Sequence, residues 1–192
     1  VGGAQMLVVG SMPGAMLGTR GRLFKMSFCE VSARVPMMLA GPGIEGRTVT
    51  TPVSTIDITP TLADIAGVDL SEVAPWTDGE SLKPLIEGGE RSSPVLIEYA
   101  AEGSYAPLIS IRRGRFKFNH CELDPPQLFD LEADPDELTN LATDPAHPET
   151  LAAFQAEMRE RWDMAQVDRA ARDSQARRGV VYEACSAGPH YP

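Results

Sequence analysis

Apolar residues fall in short clusters along the chain, separated by polar or Gly/Pro-rich stretches. The first, QMLVVG from Gln5 to Gly10, is a continuous apolar run of strand length and predicts a buried strand. RVPMMLAGPG, Arg34 to Gly43, predicts a second strand closed by a Pro/Gly turn. Beyond it the period changes. Ser54 stands as an N-cap with Asp57 three positions on, and Ile58, Leu62 and Ile65 follow at helical spacing until Gly67 ends the helix. Strand, loop, strand, helix is the pattern of an α/β fold.

From Val68 to Ser93 the apolar periodicity lapses into Pro, Gly, Ser and acidic residues, which predicts an irregular connector. PVLIEYA, PLISIRRGRFKFNH and PQLFDL then restore short β-type runs separated by turns, and predict a small, mainly antiparallel sheet. Asp134, Pro135 and Glu137 have the order of an N-cap, a first-turn proline and a capping partner, and so predict a short helix. After Pro148, Leu151, Phe154, Met158 and Trp162 share one face of a longer helix, a stripe suited to core packing. The basic stretch Arg169 to Arg178 is read either as a solvated helix or as a contact with another subunit. The expected organisation is an α/β region over residues 1–68, a connector over 69–93 and an α+β subdomain with an antiparallel sheet and a long helix over 94–192.

Composition narrows the classes of function. The chain has 192 residues, 43% of them hydrophobic, enough for an ordinary core. Seventeen basic against 27 acidic residues give a net charge of −10, the wrong sign for a nucleic-acid or anionic-membrane binder. No apolar run approaches the ~18 residues of a membrane helix, and the first residues lack a signal-peptide pattern. Cys29, Cys121 and Cys185 form an odd, widely spaced set, which suggests neither a disulfide framework nor a metal knuckle and fits a cytoplasmic protein.

Common site signatures are missing: there is no GxGxxG, no GxxxxGK[ST], no GxSxG and no HExxH. His120, His147 and His190 lie far apart and read as surface or packing residues, and Cys29 as a small buried one. The remaining constellation is Lys25, Glu30 and Arg34. Two cations near the carboxyl ends of strands can hold an anionic group, while Glu30 four residues from Arg34 can equally form a structural ion pair.

Longer stretches carry a resemblance. MLGTRGRLFKMSFCEVSARVPMMLAGPG resembles the segment of type I sulfatases, in the alkaline phosphatase superfamily, that follows their metal-binding Ser-Asp-His-Gly loop. VSTIDITPTLADIAGV is similar to their next helix, and QLFDLEADPDELTNLA resembles their LYDLxxDPxExxNL signature. EYAAEGSYAPLISIRRGRFKFNHCELDPPQLFDL and RWDMAQVDRAARDSQARRGVVYEA resemble the choline-sulfatase branch, so the likeness runs from about Met16 to Tyr191.

That resemblance implies a partial alkaline-phosphatase-like sheet and hydrolysis of a sulfate ester, choline O-sulfate, to choline and sulfate. It implies a formylglycine nucleophile made from a cysteine in Cys-x-Pro-x-Arg, and a divalent cation, usually calcium. None of the three cysteines has that motif, so the nucleophile is expected upstream and the chain is expected to be a C-terminal fragment, inactive alone. Lys25 matches the lysine that contacts the sulfate and the leaving oxygen, and Glu102 resembles the carboxylate that faces the substrate's ammonium. Tyr99 and Tyr105 are possible aromatic neighbours. Met12 and Pro13 fall where the family has its metal-binding aspartate and adjacent histidine, and Ala15 and Thr19 also replace acidic residues. Thioether and pyrrolidine are no ligands for a hard cation, so no metal site is expected in this chain. A disturbed reading frame or genuine loss of the ligands would give the same loop. The alternatives are a dead paralogue that joins intact sulfatase subunits through its C-terminal tail, as a homo-oligomer would, and a phosphonate or phosphate monoester hydrolase.

Overall fold

The computed structural model describes residues 5–11, 14–21, 23, 25, 27–101 and 103–186. Among the described residues it is a mixed α/β structure with six strands in two sheets and a long C-terminal helix. The residues group into two compact units, one made of Val1–Leu96, Arg112–Phe116 and Asp130–Leu138, the other of Ile97–Ile111, Lys117–Phe129 and Thr139–Pro192.

In the first unit, β1 (Leu7–Gly10) pairs antiparallel with β2 (Met37–Ala40), with Val8 opposite Leu39. Both expected strands are present, but neither is buried. Leu7 and Met38 are exposed, because this sheet has only two strands among the described residues and no second layer covers it. A single-turn helix, α1 (Glu30–Ala33), precedes β2. The helix expected after Ser54 forms as a 3₁₀ turn, Thr55–Asp57, running into α2 (Ile58–Ala66). Ser54 and Asp57 form the reciprocal capping box, and Gly67 ends the helix in the left-handed conformation at φ 70°.

The connector is less irregular than its composition suggests, since it contains the short helices α3 (Leu70–Val73) and α4 (Lys83–Ile86). It is fastened to α2 by hydrogen bonds. The Glu80 N–H donates to Asp57 at 2.9 Å, the Leu82 N–H to the Thr61 hydroxyl at 2.8 Å, and the Arg91 guanidinium to Asp57 at 2.5 Å. Those bonds satisfy buried polar groups and leave Leu82 and Leu85 as the local apolar core.

The strands β3 (Val95–Tyr99), β4 (Leu108–Arg113), β5 (Phe116–Cys121) and β6 (Asp124–Asp130) lie side by side in chain order. Two-residue links, Gly114–Arg115 and Glu122–Leu123, join the last three as hairpins. In the second unit, Ile109, Ile111, Phe118 and Leu128 are fully buried. α5 (Pro148–Arg161) adds Phe154 and Met158, and the Phe154 ring stacks on Phe118 at a centroid distance of 5.8 Å. Trp162 does not extend that stripe. It is the C-cap of α5 in an extended conformation, and its indole N–H donates to Glu98 at 2.5 Å. α6 (Met164–Ser186) carries the basic stretch in its middle.

The expected helix at Asp134–Glu137 is absent. The chain makes a turn there instead, with Glu137 at φ 55°, a left-handed conformation that a right-handed helix cannot continue through. Glu137 then points its carboxylate away from its own turn, as described below.

Candidate functional site

The loop from Gly14 to Cys29 carries Lys25, which is exposed on a bend. Met16 is fully buried, and the 3₁₀ turn Thr19–Gly21 follows it. Both ends of the loop are tied together at α1. The Gly14 N–H donates to the Ser32 carbonyl at 3.0 Å, and the buried Ser32 hydroxyl donates back to the Gly14 carbonyl at 2.9 Å. A side chain at position 14 would not fit, since its Cβ would lie 2.8 Å from the Val31 carbonyl oxygen.

The start of α1 is held from a distant part of the chain. Cys29 occupies the N-cap without a side-chain cap, and its own N–H is taken by the Ser27 hydroxyl at 3.2 Å. The Glu30 N–H is accepted by the Glu137 carboxylate at 2.7 Å, a contact spanning 107 residues. Glu30 and Arg34 both lie in the electrostatic surroundings of Arg112. Burial lowers the Arg112 pKa, the Glu30 and Glu132 carboxylates raise it, and Arg34 lowers it. The ends of α1 thus put a carboxylate and a guanidinium into a charged group with Arg112, Asp130 and Glu132.

The turn that leads to Glu137 is built on Asp130. Its carboxylate takes a bidentate pair of bonds from Arg115 and accepts the backbone N–H groups of Glu132 and Ala133 at 3.1 and 3.3 Å. The Arg115 hydrogen bonds, chiefly, hold the Asp130 carboxyl below its usual range.

In the second unit, the chain bends at Tyr105 and Ala106, beyond β3. The Ser104 hydroxyl donates to the Ala106 carbonyl, and Tyr105 is 91% exposed. Arg172 of α6 reaches the Tyr105 carbonyl at 3.4 Å and pairs with Asp168 one turn earlier at 2.8 Å. A shallow pocket lies between this turn and α6. Tyr99 closes β3 and is half-buried.

Glu102, Met12, Pro13 and His190 lie outside the described residues. Lys25, Glu30 and Arg34 all belong to the first unit. The other expected packing residues are dispersed. His120 on β5 faces Glu122 at 3.1 Å, His147 precedes α5, Cys121 is buried, and Cys185 is exposed on α6. No group of three or more His, Cys, Asp or Glu side chains among the described residues could hold a metal ion. No helix among them is long and apolar enough to cross a membrane.

Gly14, Ser32 and Arg112 had no separate signal in the sequence. Glu137 stood in a recognisable motif, but its spacing to Asp134 pointed to a local cap rather than a long-range one.

Comparison with known proteins places this arrangement. Residues 18–164 match the model of the family described as N-sulphoglucosamine sulphohydrolase, C-terminal. The chain is 60% identical over 182 residues to the choline-sulfatase of Rhizobium meliloti (strain 1021), covering 93% of this chain and 36% of that protein. It therefore spans about a third of that relative's length. Among solved structures, a 2-O GAG sulfatase superposes with a TM-score of 0.70 at 30% identity, covering 81% of this chain and 35% of the other. The phosphonate monoester hydrolase of Agrobacterium radiobacter gives 0.65 at 29% identity, covering 79% of this chain and 34% of the other.

Proposed function

The chain belongs to the sulfatase family, and from that membership we propose that it forms the C-terminal share of a choline-sulfatase-type hydrolase acting on choline O-sulfate. The observation that carries this reading is the 60% identity over 93% of the chain to a choline-sulfatase. In the reaction the ester S–O bond breaks, the oxygen of water ends on sulfate, and the choline oxygen leaves with a proton.

Lys25 serves the leaving side of that reaction. A primary ammonium on a braced, exposed loop is a compact cation that offsets charge as it develops on the departing oxygen. Glu102 serves recognition. A quaternary ammonium has no N–H to donate, so a carboxylate field and aromatic faces are what can hold it. Cys29, Cys121 and Cys185 sit at a helix cap, in a strand and on an outer helix, none within Cys-x-Pro-x-Arg, so the nucleophile comes from outside this chain. The described residues do not fit a hard-cation site either. They hold no ligand cluster, and Met12 and Pro13 offer no anionic oxygen. No step assigned to this chain runs through a metal it holds, and by itself it is inactive.

A chimera tests the reading: residues 14–192 replace the aligned stretch of the Rhizobium meliloti enzyme, which supplies the rest. Turnover of choline O-sulfate within about tenfold of that enzyme is expected, a loss of ~1.4 kcal/mol or less in transition-state binding. Carrying the junction back to Val1, so that Met12 and Pro13 enter, abolishes turnover. Glu102→Gln raises KM about tenfold with a smaller effect on kcat, since the contact is with the non-reacting end of the substrate. A folded but inactive 14–192 chimera contradicts the reading.

The likeness to the phosphonate monoester hydrolase favours a second reading, which the same chimera decides if it prefers a phosphonate monoester. Exposed Val180, Val181 and Tyr182 on α6 favour an oligomer contact through the tail, to be read by light scattering.

A further inference from the structure

We propose that Glu137 is a positioning residue that sets the Lys25 loop, acting through the Glu30 N–H and the Gly14–Ser32 tie. The proposal rests on the reading of Lys25 given above. Two costs meet at Glu137. Its φ of 55° is a left-handed conformation that is unfavourable for a non-glycine residue, and its carboxyl-bearing side chain is buried, with 3% of the residue exposed. A strained backbone and a buried acid together persist only where the surroundings fix them.

Here the surroundings form a continuous path. Arg115 and the N–H groups of Glu132 and Ala133 lock Asp130, whose carbonyl takes the Asp134 N–H at 2.7 Å. The Asp134 carbonyl takes the Glu137 N–H at 3.1 Å, closing the turn that throws the side chain toward α1. The carboxylate accepts the first N–H of α1, a four-residue helix too short to be stable by propensity. Two residues on, Ser32 holds Gly14 through two hydrogen bonds, so α1 closes the loop between its own start and Gly14. Lys25 lies inside that closed loop, five residues before the clamped N–H. Every residue in the path belongs to the first unit.

Backbone amide exchange in the full 192-residue chain tests the clamp, with Glu137→Leu removing the acceptor and Glu137→Gln keeping a side-chain carbonyl to accept the same N–H. Glu137→Leu is expected to speed exchange over residues 14–33 about tenfold or more, an opening easier by ~1.4 kcal/mol, while residues 148–161 stay within about twofold. Glu137→Gln is expected to restore slow exchange. Unchanged exchange over 14–33 in Glu137→Leu, equal acceleration over 148–161, or failure of the Gln variant to restore protection each overturns the proposal. Protection of Lys25 from amine acylation by inorganic sulfate, measured on the wild-type chain, reports the Lys25 reading separately. Absence of that protection removes the anion-binding role of Lys25, and the exchange pattern still decides whether Glu137 sets the loop.

Discussion

Asp57 has no exposure and three donors around it: the Ser54 N–H, the Glu80 N–H and the Arg91 guanidinium. Its Ser54 partner was legible, because a capping box is a local pattern with fixed spacing. Its Arg91 partner lies 34 residues away in the connector, and no local pattern announces it. Asp57→Ala leaves the buried Arg91 guanidinium with only the more exposed Glu80 carboxylate, 3.7 Å away, and is expected to cost about 3 kcal/mol in urea unfolding. Gly14→Ala brings a Cβ to 2.8 Å from the Val31 oxygen and is expected to loosen the Lys25 loop, read as faster exchange at Ser32. Asp130 makes a pH prediction. Its carboxyl lies lower in the folded chain than the ~3.9 of an unfolded aspartate, so its contribution is complete above that value and is lost as pH falls through the folded one. Arg115 is exposed and solvent screens the pair, so Asp130→Asn is expected to cost about 1 kcal/mol at neutral pH and to flatten the acid limb of the stability curve.

At the scale of elements, the sequence was most legible where the pattern was local and periodic. The predicted cap at Ser54 opens the 3₁₀ turn that runs into α2, the helix ends at Gly67, and the strands of the four-stranded sheet fall on the predicted runs. It misled where a tertiary partner outbid a local one. Glu137 has the spacing of a capping residue, yet its carboxylate accepts the Glu30 N–H and its backbone is left-handed at φ 55°, so no helix runs through the turn at Asp134. Trp162 has the phase of the α5 stripe, yet it leaves the helix to reach Glu98. Strand β1 has the composition of a buried strand, but burial depends on a covering layer that composition cannot specify. The two ends of the helical region should respond differently. Phe154→Ala removes a ring stacked on Phe118 and is expected to cost about 3–5 kcal/mol. Val181→Ser on the exposed end of α6 is expected to stay within about 0.5 kcal/mol, both measured by urea titration.

At the scale of the whole molecule, the organising feature is that the chain returns to its first unit twice, at Arg112–Phe116 and Asp130–Leu138. The second return carries the family signature and ends on the clamp at Glu30, so a C-terminal motif braces an N-terminal loop. Family membership was legible from long motifs, whereas the brace was not, because its residues are separated by more than 100 positions. On the function proposed above, the braced loop presents Lys25 to the leaving oxygen of a sulfate ester. The decisive measurement compares Lys25→Ala with the parent in the chimera that joins residues 14–192 to the Rhizobium meliloti choline-sulfatase. Two substrates are needed: choline O-sulfate, whose alkoxide leaves poorly, and an aryl sulfate, whose phenoxide leaves readily without help. With Lys25 in that role, kcat is expected to fall about 10²–10³-fold for choline O-sulfate and much less for the aryl ester. Equal losses on both substrates, or no loss on either, would contradict it.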